Sequence, residues 1–193
     1  MPSEPAALIL AAGRASRFGA DKRQARGPWA GPLLHHVLSL YRPIFTRLAL
    51  VTGPDDGFGA EACRAFAVER VINPEPDLGM GRSLAAGAAW LEEQNAACAV
   101  IGLADMPFIA AATIAAIAAE GARSGRAVAP SFQGQPGFPR ALPAALFPKL
   151  RTLSGDRGAA ALIDWRDALW LEVEDAGILA DIDKPEDIPG SPP

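Results

Sequence analysis

From residue 6 the chain reads Ala6-Ala7-Leu8-Ile9-Leu10-Ala11-Ala12-Gly13-Arg14-Ala15-Ser16-Arg17-Phe18-Gly19-Ala20-Asp21-Lys22. The apolar run over residues 6–12 predicts a strand that is buried on both faces. The loop after it carries Arg14, Arg17 and Lys22, and its glycines, Gly13 and Gly19, can bring backbone N–H groups close to a ligand. Because guanidinium and ammonium groups form charge-assisted hydrogen bonds to phosphate oxygens, the loop predicts a polyphosphate site.

Two common nucleotide-binding motifs do not fit this loop. Lys22 comes three residues after Gly19 and is followed by Arg23, so the pattern is not G-x-x-x-x-G-K-[ST]. It is not G-x-G-x-x-G either, and both a P-loop ATPase and a dinucleotide-binding dehydrogenase are therefore disfavoured. A basic, solvated turn after the first strand is the alternative that the loop alone leaves open.

Composition and charge limit the class of protein. The 193 residues are 50% hydrophobic and 21% charged, which suffices for a large core, so we expect one domain over residues 1–193 with a frayed tail over 189–193. The formal net charge of −4 disfavours a nucleic-acid binder. The chain lacks both a secretory start and the roughly 20-residue apolar run of a membrane helix. These features predict a soluble, cytoplasmic protein with no nucleic-acid or membrane partner.

Short apolar runs alternate with amphipathic segments along the chain, which predicts an α/β fold with a layered sheet. The predicted strands cover residues 6–12, 47–52, 69–72, 97–103, 127–130, 168–173 and 178–181. The predicted helices cover residues 33–41, 59–66, 82–93, 113–124 and 143–150.

Carboxylates near the ends of two predicted strands suggest a metal site. Asp105 follows the apolar run over residues 97–103, at the edge where open α/β sheets place their ligands. A carboxylate beside a triphosphate suits Mg²⁺. Asp181 and Asp183 complete the site if their strand lies beside the one before Asp105, because alternate residues of a strand share a face. A helix cap at Asp105 and a solvated acidic turn at 181–187 are the alternatives.

A second glycine-containing loop precedes a predicted helix. It reads Gly79-Met80-Gly81-Arg82-Ser83. The amino terminus of a helix carries unpaired N–H groups and partial positive charge, so this loop can hold a nucleotide. A simple glycine turn with Ser83 at the helix start explains the same spacing.

The loop over residues 10–22 resembles the signature L-A-A-G-x-S-x-R-x-G-x-x-K of the nucleotidyltransferases that attach a nucleotide to the molybdenum cofactor, the MobA-like NTP transferases. Further segments follow in the order of that family: Leu78-Gly79-Met80-Gly81-Arg82-Ser83-Leu84, Gly102-Leu103-Ala104-Asp105-Met106-Pro107, Gly155-Asp156-Arg157-Gly158 and Asp181-Ile182-Asp183-Lys184-Pro185-Glu186-Asp187. The resemblance covers nearly the whole chain and is closest to the cytidylyltransferases that make the molybdopterin cytosine dinucleotide. It implies a three-layer, Rossmann-like nucleotidyltransferase fold, with a predominantly parallel central sheet and helices on both faces.

The resemblance also implies a set of site residues. The nucleotide-binding residues would be Leu10, Ala11, Ala12, Gly13, Gly19, Gly79, Met80, Gly81 and Ser83. The catalytic residues would be Arg17, Lys22 and Asp105, and the metal ligands Asp105, Asp181 and Asp183. The acceptor-binding residues would be Gly137, Phe138, Arg140 and Asp156. Within the superfamily L-A-A-G tends to go with cytidine, and a methyl group at Ala12 narrows the space for a purine.

Three departures from the family pattern concern mainly the second substrate. Arg23-Gln24-Ala25-Arg26 replaces an apolar segment after Lys22, and Gly137-Phe138-Pro139 replaces a G-H-P element. Ala160 stands where an arginine is expected. Arg140 and Arg157 are candidates to replace the missing cation, and a different acceptor is the alternative.

The reaction implied is Mg²⁺-dependent transfer of CMP from CTP to a molybdopterin-type acceptor, with release of pyrophosphate. Arg17 and the backbone of residues 13–19 would hold the β- and γ-phosphates, and Lys22 would stabilise charge at the α-phosphate. Guanylyl transfer to molybdopterin and nucleotidyl transfer to another phosphorylated acceptor remain open. So does a non-catalytic chaperone that carries molybdenum cofactor to an apoenzyme. A molybdoenzyme or a chaperone is a possible partner.

Overall fold

The opening apolar run forms strand β1, Ala6–Leu10, and each of its residues is buried. The structure is a computed structural model that describes residues 4–13, 18–155 and 158–190. The other strands are β2 (Leu48–Thr52), β3 (Glu69–Ile72), β4 (Cys98–Leu103), β5 (Val128–Phe132), β6 (Gln135–Pro136), β7 (Arg140–Pro143) and β8 (Leu169–Glu172). The α-helices are α1 (Leu33–Tyr41), α2 (Gly57–Phe66), α3 (Met80–Glu93), α4 (Ala111–Ser124) and α5 (Phe147–Leu150).

All eight strands of the described residues join one sheet. Their order is β3-β2-β1-β4-β7-β5-β6, and β8 pairs with β5. The strands β3, β2, β1 and β4 are parallel neighbours, whereas β7 runs antiparallel between β4 and β5. The carboxyl ends of β1, β2 and β4 therefore meet at one edge, and the prediction of a predominantly parallel sheet is confirmed.

Side chains of β1 alternate between two apolar layers. Ala7 and Ile9 pack with α1, α2 and α4 on one face, while Leu8 and Leu10 pack with α3 and α5 on the other. Helices thus cover both faces of the sheet, as predicted for a three-layer α/β fold. Gly87 brings α3 close to the sheet, since a Cβ there would lie 2.2 Å from Leu8 Cδ2.

Strand β7 was not predicted, and the helix expected over residues 143–150 is wrong in its first half. Arg140 pairs with Ile101 and Pro143 with Cys98, so long-range pairing with β4 makes this segment a strand. A 3₁₀ turn, Ala144–Leu146, then leads into α5. The strand predicted over residues 178–181 is also wrong. Ala176–Leu179 is a 3₁₀ turn, because the Asp175 carboxylate accepts a hydrogen bond from Gly177 N at 3.0 Å and caps it.

None of the helices in the described ranges is long and apolar enough to cross a membrane. The single domain over residues 1–193 stays a prediction, and residues 191–193 of the expected frayed tail lie outside the described part of the chain.

Candidate active site

Two loops leave neighbouring strands side by side at the carboxyl edge of the sheet. Ala11 N donates to Val51 O at 3.0 Å, and Ala104 N donates to Leu10 O at 3.1 Å. The ladder between β1 and its neighbours therefore continues just past the assigned strands. This continuation places Gly13 and Asp105 at adjacent exits from the sheet.

Three carboxylates converge at this edge. Asp105, Asp181 and Asp183 each offer an oxygen, and these oxygens lie within 4.8 Å of one another. Ile182 lies between the two C-terminal acids, is fully buried, and donates its N–H to Asp105 O at 2.8 Å. The backbone of residues 181–183 thus runs beside Asp105 without forming a strand. Asp187 steadies it by accepting hydrogen bonds from the N–H groups of Asp183 and Lys184 at 2.8 and 2.7 Å.

Lys22 enters this acidic cluster from the loop after β1. Its Nζ donates to Asp105 Oδ2 at 2.7 Å and to Asp183 Oδ1 at 3.0 Å. Burial works to lower the pKa of Lys22, but the two carboxylates outweigh it and raise that pKa, so the side chain remains an ammonium. The pKa of Asp181 is raised by burial and by the charges of the neighbouring carboxylates.

The acid cluster fits a divalent cation in its donor chemistry. Carboxylate oxygens are the ligands that Mg²⁺ and Mn²⁺ prefer. Asp105 Oδ1 is buried and has no hydrogen-bond partner among the described residues. A buried oxygen of this kind is costly to leave unsatisfied, and a metal ion would satisfy it. Asp105, Asp181 and Asp183 are therefore suitable metal ligands.

A cavity of about 340 Å³ opens next to Asp105. Its walls come from the end of β1, the end of β4 and the turn before α3: Leu10, Ala12, Gly13, Pro76, Asp77, Gly79, Met80, Ser83, Leu103 and Asp105. Most of the residues predicted to bind nucleotide thus surround one space. Ala11 and Gly19 line a larger, more open depression that adjoins it at Ala12 and Gly13. Gly81 packs instead against the backbone of residues 154–155, where its N–H donates to Gly155 O at 2.8 Å.

Sequence reasoning missed Asn73, which organises the wall of this cavity. Asn73 is buried, and its Nδ2 donates to Ser83 Oγ at 3.1 Å while its Oδ1 accepts from Glu75 N at 2.9 Å. These two bonds tie the turn before α3 to the end of β3. The Ser83 hydroxyl accepts from Asn73 and can donate its own proton into the cavity. A polar residue directly after a predicted strand was the available signal.

The structural role of Arg23 was also missed, although the sequence shows that Arg23 departs from the family pattern. Its guanidinium donates to both oxygens of Asp21 at 2.8 Å, to Asp56 and to Ala11 O at 3.1 Å. Asp56 also caps α2 by accepting from Gly59 N at 2.9 Å. Arg23 therefore links the end of the loop that follows β1, at Asp21, to the backbone at the end of β1 and to the start of α2.

The residues predicted to bind the acceptor divide into two groups. Phe138 and Arg140 line a recess of about 70 Å³ that has Leu10 and Met80 in its wall, and Gly137 N donates to Pro130 O at 3.0 Å. Asp156, the candidate replacement cation Arg157 and the predicted catalytic residue Arg17 lie outside the described residues.

A family model and several solved structures match this chain. Residues 7–170 match the family model described as the MobA-like NTP transferase domain. No curated protein is significantly similar to the chain in sequence.

Several solved structures superpose along nearly the whole chain. Rv0371c from Mycobacterium tuberculosis H37Rv has 26% identity and a TM-score of 0.78, over 97% of this chain and 96% of its own. A complex of Rv0371c from the same strain with manganese has 24% identity and a TM-score of 0.69, over 90% and 89%. Molybdopterin-guanine dinucleotide biosynthesis protein A from Archaeoglobus fulgidus has 17% identity and a TM-score of 0.69, over 94% of each chain.

Proposed function

Since the chain belongs to the MobA-like NTP transferase family, we propose that it transfers CMP from CTP to a molybdopterin-type acceptor and releases pyrophosphate. Nucleotidyl transfer follows from the family. The base and the acceptor are the proposal.

One observation carries the chemistry. The Lys22 ammonium lies 2.7 Å from Asp105 and 3.0 Å from Asp183, directly beside the cavity lined by Gly13 and Ser83. A cationic side chain and a set of metal-ligating oxygens thus meet next to a space that suits a nucleotide. Phosphoryl and nucleotidyl transfer depend mainly on positioning and charge stabilisation, which this arrangement provides.

In the proposed reaction an oxygen of the acceptor phosphate forms a bond to the α-phosphorus of CTP, and the bond from that phosphorus to the bridging α–β oxygen breaks. The electron pair leaves with pyrophosphate. A Mg²⁺ ion held by Asp105, Asp181 and Asp183 would neutralise phosphate charge when bound. Lys22 stabilises charge at the α-phosphate, while the backbone near Gly13 and Gly19, with Arg17, holds the β- and γ-phosphates. The acceptor phosphate is already ionised near neutral pH, so no protein nucleophile is required.

Two features support cytosine over guanine. The Ala12 methyl group projects where a glycine would leave more room, and Leu10 and Pro76 further limit the same cavity. The volume of about 340 Å³ is at the small end of ligand pockets, which favours the smaller base. Guanylyl transfer is the second candidate, since the Archaeoglobus fulgidus neighbour is named for molybdopterin-guanine dinucleotide biosynthesis.

We propose that Gly137, Phe138, Arg140 and Asp156 contribute to the acceptor site, and that the protein acts in the cytoplasm on small molecules without nucleic acid. The partner in this proposal is a molybdoenzyme or a chaperone that receives the product.

The test compares the four common nucleoside triphosphates, each with Mg²⁺, by the rise in melting temperature and by pyrophosphate release with molybdopterin. We expect CTP to give the largest shift and the fastest release. Asp105→Asn and Lys22→Met should each lower turnover by about a hundredfold or more, by analogy with the loss of other single electrostatic contacts in active sites. The matched control is Lys149→Met in α5, whose exposed side chain lies outside the site. Faster turnover with GTP would overturn the base assignment, and CTP binding without pyrophosphate release would favour the carrier.

A further inference from the structure

Arg140 is a partly buried cation without a carboxylate partner among the described residues. The hydrogen bond it forms there runs from its Nε to Gly137 O at 3.1 Å. Burial lowers the pKa of Arg140, and no acid among the residues that the structure describes offsets that effect. Arg23, by contrast, is paired with two carboxylates. Burying a charge that lacks a counter-ion costs free energy, and an anion that reaches the guanidinium relieves this cost.

Two aromatic rings hold the Arg140 guanidinium in place. Its Cζ lies 4.5 Å from the centroid of Phe138 and 4.6 Å from the centroid of Trp165, both within the range of cation–π contacts. The rings orient the group without accepting its conventional hydrogen bonds. Among the described residues, nothing accepts a hydrogen bond from the terminal N–H groups of Arg140, so these groups are available to a ligand. A fixed pair of them matches two oxygens of an oxyanion.

Arg140 lies on the same face of the sheet as α3 and close to the nucleotide cavity. It is paired with Ile101 of β4, and Ile101 belongs to the apolar layer beneath α3. The recess that contains Arg140 shares Leu10 and Met80 with the wall of the nucleotide cavity. The loop that carries Phe138 also contacts the segment before the acidic cluster, since Phe138 N donates a hydrogen bond to Ile178 O at 3.1 Å.

We propose that Arg140 is an oxyanion-binding residue for the second substrate, separate from the groups that bind the triphosphate, and that it restricts the acceptor to phosphorylated compounds. The inference rests on the proposed nucleotidyl transfer and extends it, because it assigns the recognition of the acceptor's phosphate to one side chain. It also gives a reason for Phe138, which stands where the family resemblance leads us to expect histidine. A phenyl ring at this position contacts the guanidinium through its face and leaves the N–H groups of Arg140 to the ligand, whereas an imidazole nitrogen can accept a hydrogen bond from them.

The first experiment measures phosphate binding directly. The protein is saturated with Mg²⁺ and a non-hydrolysable CTP analogue, which occupy the triphosphate site, and is then titrated with inorganic phosphate by calorimetry. We expect one remaining phosphate site, weakened about tenfold or more in Arg140→Gln, as for the loss of a charge-assisted hydrogen-bond pair. Arg140→Lys retains the charge but not the planar fork and should bind at an intermediate level. Equal phosphate affinity in all three proteins would overturn the inference.

The second experiment separates the inference from the proposed function. In pyrophosphate-release kinetics, Arg140→Gln should raise KM for molybdopterin about tenfold or more and leave KM for CTP and the CTP-induced melting shift unchanged. An unchanged CTP shift shows that the variant is folded at the nucleotide site. If wild type releases no pyrophosphate but its phosphate site still depends on Arg140, the proposed function is wrong and the anion site stands. If Arg140→Gln has normal KM for both substrates, the anion site is wrong and the function stands.

Discussion

Replacing Lys22 by methionine will make the metal-free protein less stable and will make it bind divalent cations more tightly. In the native protein the ammonium neutralises part of a cluster of three carboxylates, Asp105, Asp181 and Asp183. Methionine has a similar length but no charge. The variant therefore retains the crowded acids and loses the ammonium group that contacts Asp105 and Asp183.

The distances set the magnitude. At 2.7 and 3.0 Å the attraction is about 6 kcal/mol per contact for an effective dielectric constant near 20, and about 1.5 kcal/mol in bulk water. The side chains of Lys22, Asp105 and Asp183 are 16%, 22% and 43% exposed, so the environment lies between these limits. Desolvation of the charges offsets much of the attraction. We expect a net loss of about 2 kcal/mol in the free energy of unfolding, or a melting temperature lower by about 4–8 °C.

The assay is thermal unfolding in EDTA and in saturating Mn²⁺, together with calorimetric titration of Mn²⁺. Because Lys22 competes with the metal for the same carboxylate groups, Lys22→Met should bind Mn²⁺ about tenfold more tightly, a gain of about 1.4 kcal/mol. Its deficit in stability should shrink or reverse when Mn²⁺ is added. Lys149→Met controls for loss of a lysine elsewhere. An unchanged melting temperature in EDTA together with an unchanged Mn²⁺ affinity would refute the reasoning.

Three further measurements address the supporting structure. Arg23→Met should lower the free energy of unfolding by about 2 kcal/mol at pH 7, measured by urea unfolding, because it leaves partly buried acids without their cation. Burial works to raise the pKa of Asp21, but Arg23 outweighs it and lowers that pKa. The extra stability that wild type gains from Asp21 should therefore be complete above the ordinary aspartate pKa of 3.8 and should disappear as the pH falls through the lowered pKa. A stability difference between wild type and Arg23→Met that stays constant down to pH 2 would contradict the pairing. Gly121→Ala should cost about 2 kcal/mol, because the new Cβ would lie 2.6 Å from a β-carbon of β7. Gly57→Ala, whose Cβ meets nothing within 4 Å, should be nearly neutral, and equal unfolding curves for the two variants would count against this packing. Burial raises the pKa of Cys98 to about 11, so its thiol should resist a disulfide reagent at pH 8 until urea is added, whereas rapid labelling of the native protein would show that the site opens.

Local patterns predicted the elements that carry most of the site. The apolar run before Gly13 became β1, the run before Asp105 became β4, and α1 has the bounds predicted for it. Such elements are readable because burial on both faces requires continuous apolar residues and because amphipathic helices repeat their apolar positions. The residue types also indicated the chemistry, since glycines, cations and carboxylates at strand ends suit phosphates and a metal.

Elements that depend on residues distant in sequence could not be predicted from local patterns. β7 is short, carries a charge at Arg140 and ends in proline, and it is a strand because β4 and β5 lie on either side of it. The segment over residues 178–181 has the composition of a strand, yet capping by Asp175 turns its first part into a 3₁₀ turn.

By itself the sequence determined which side chains are available for the chemistry and that Gly13 and Asp105 follow strands, because residue type and hydrophobic period are local properties. Only the tertiary structure decided their partners. Lys22 meets Asp183 across 161 residues of chain, and Arg140 lies against Trp165 without a carboxylate among the described residues. Such pairings depend on the path of the whole sheet, which brings distant segments together at one edge, and no local pattern encodes that path.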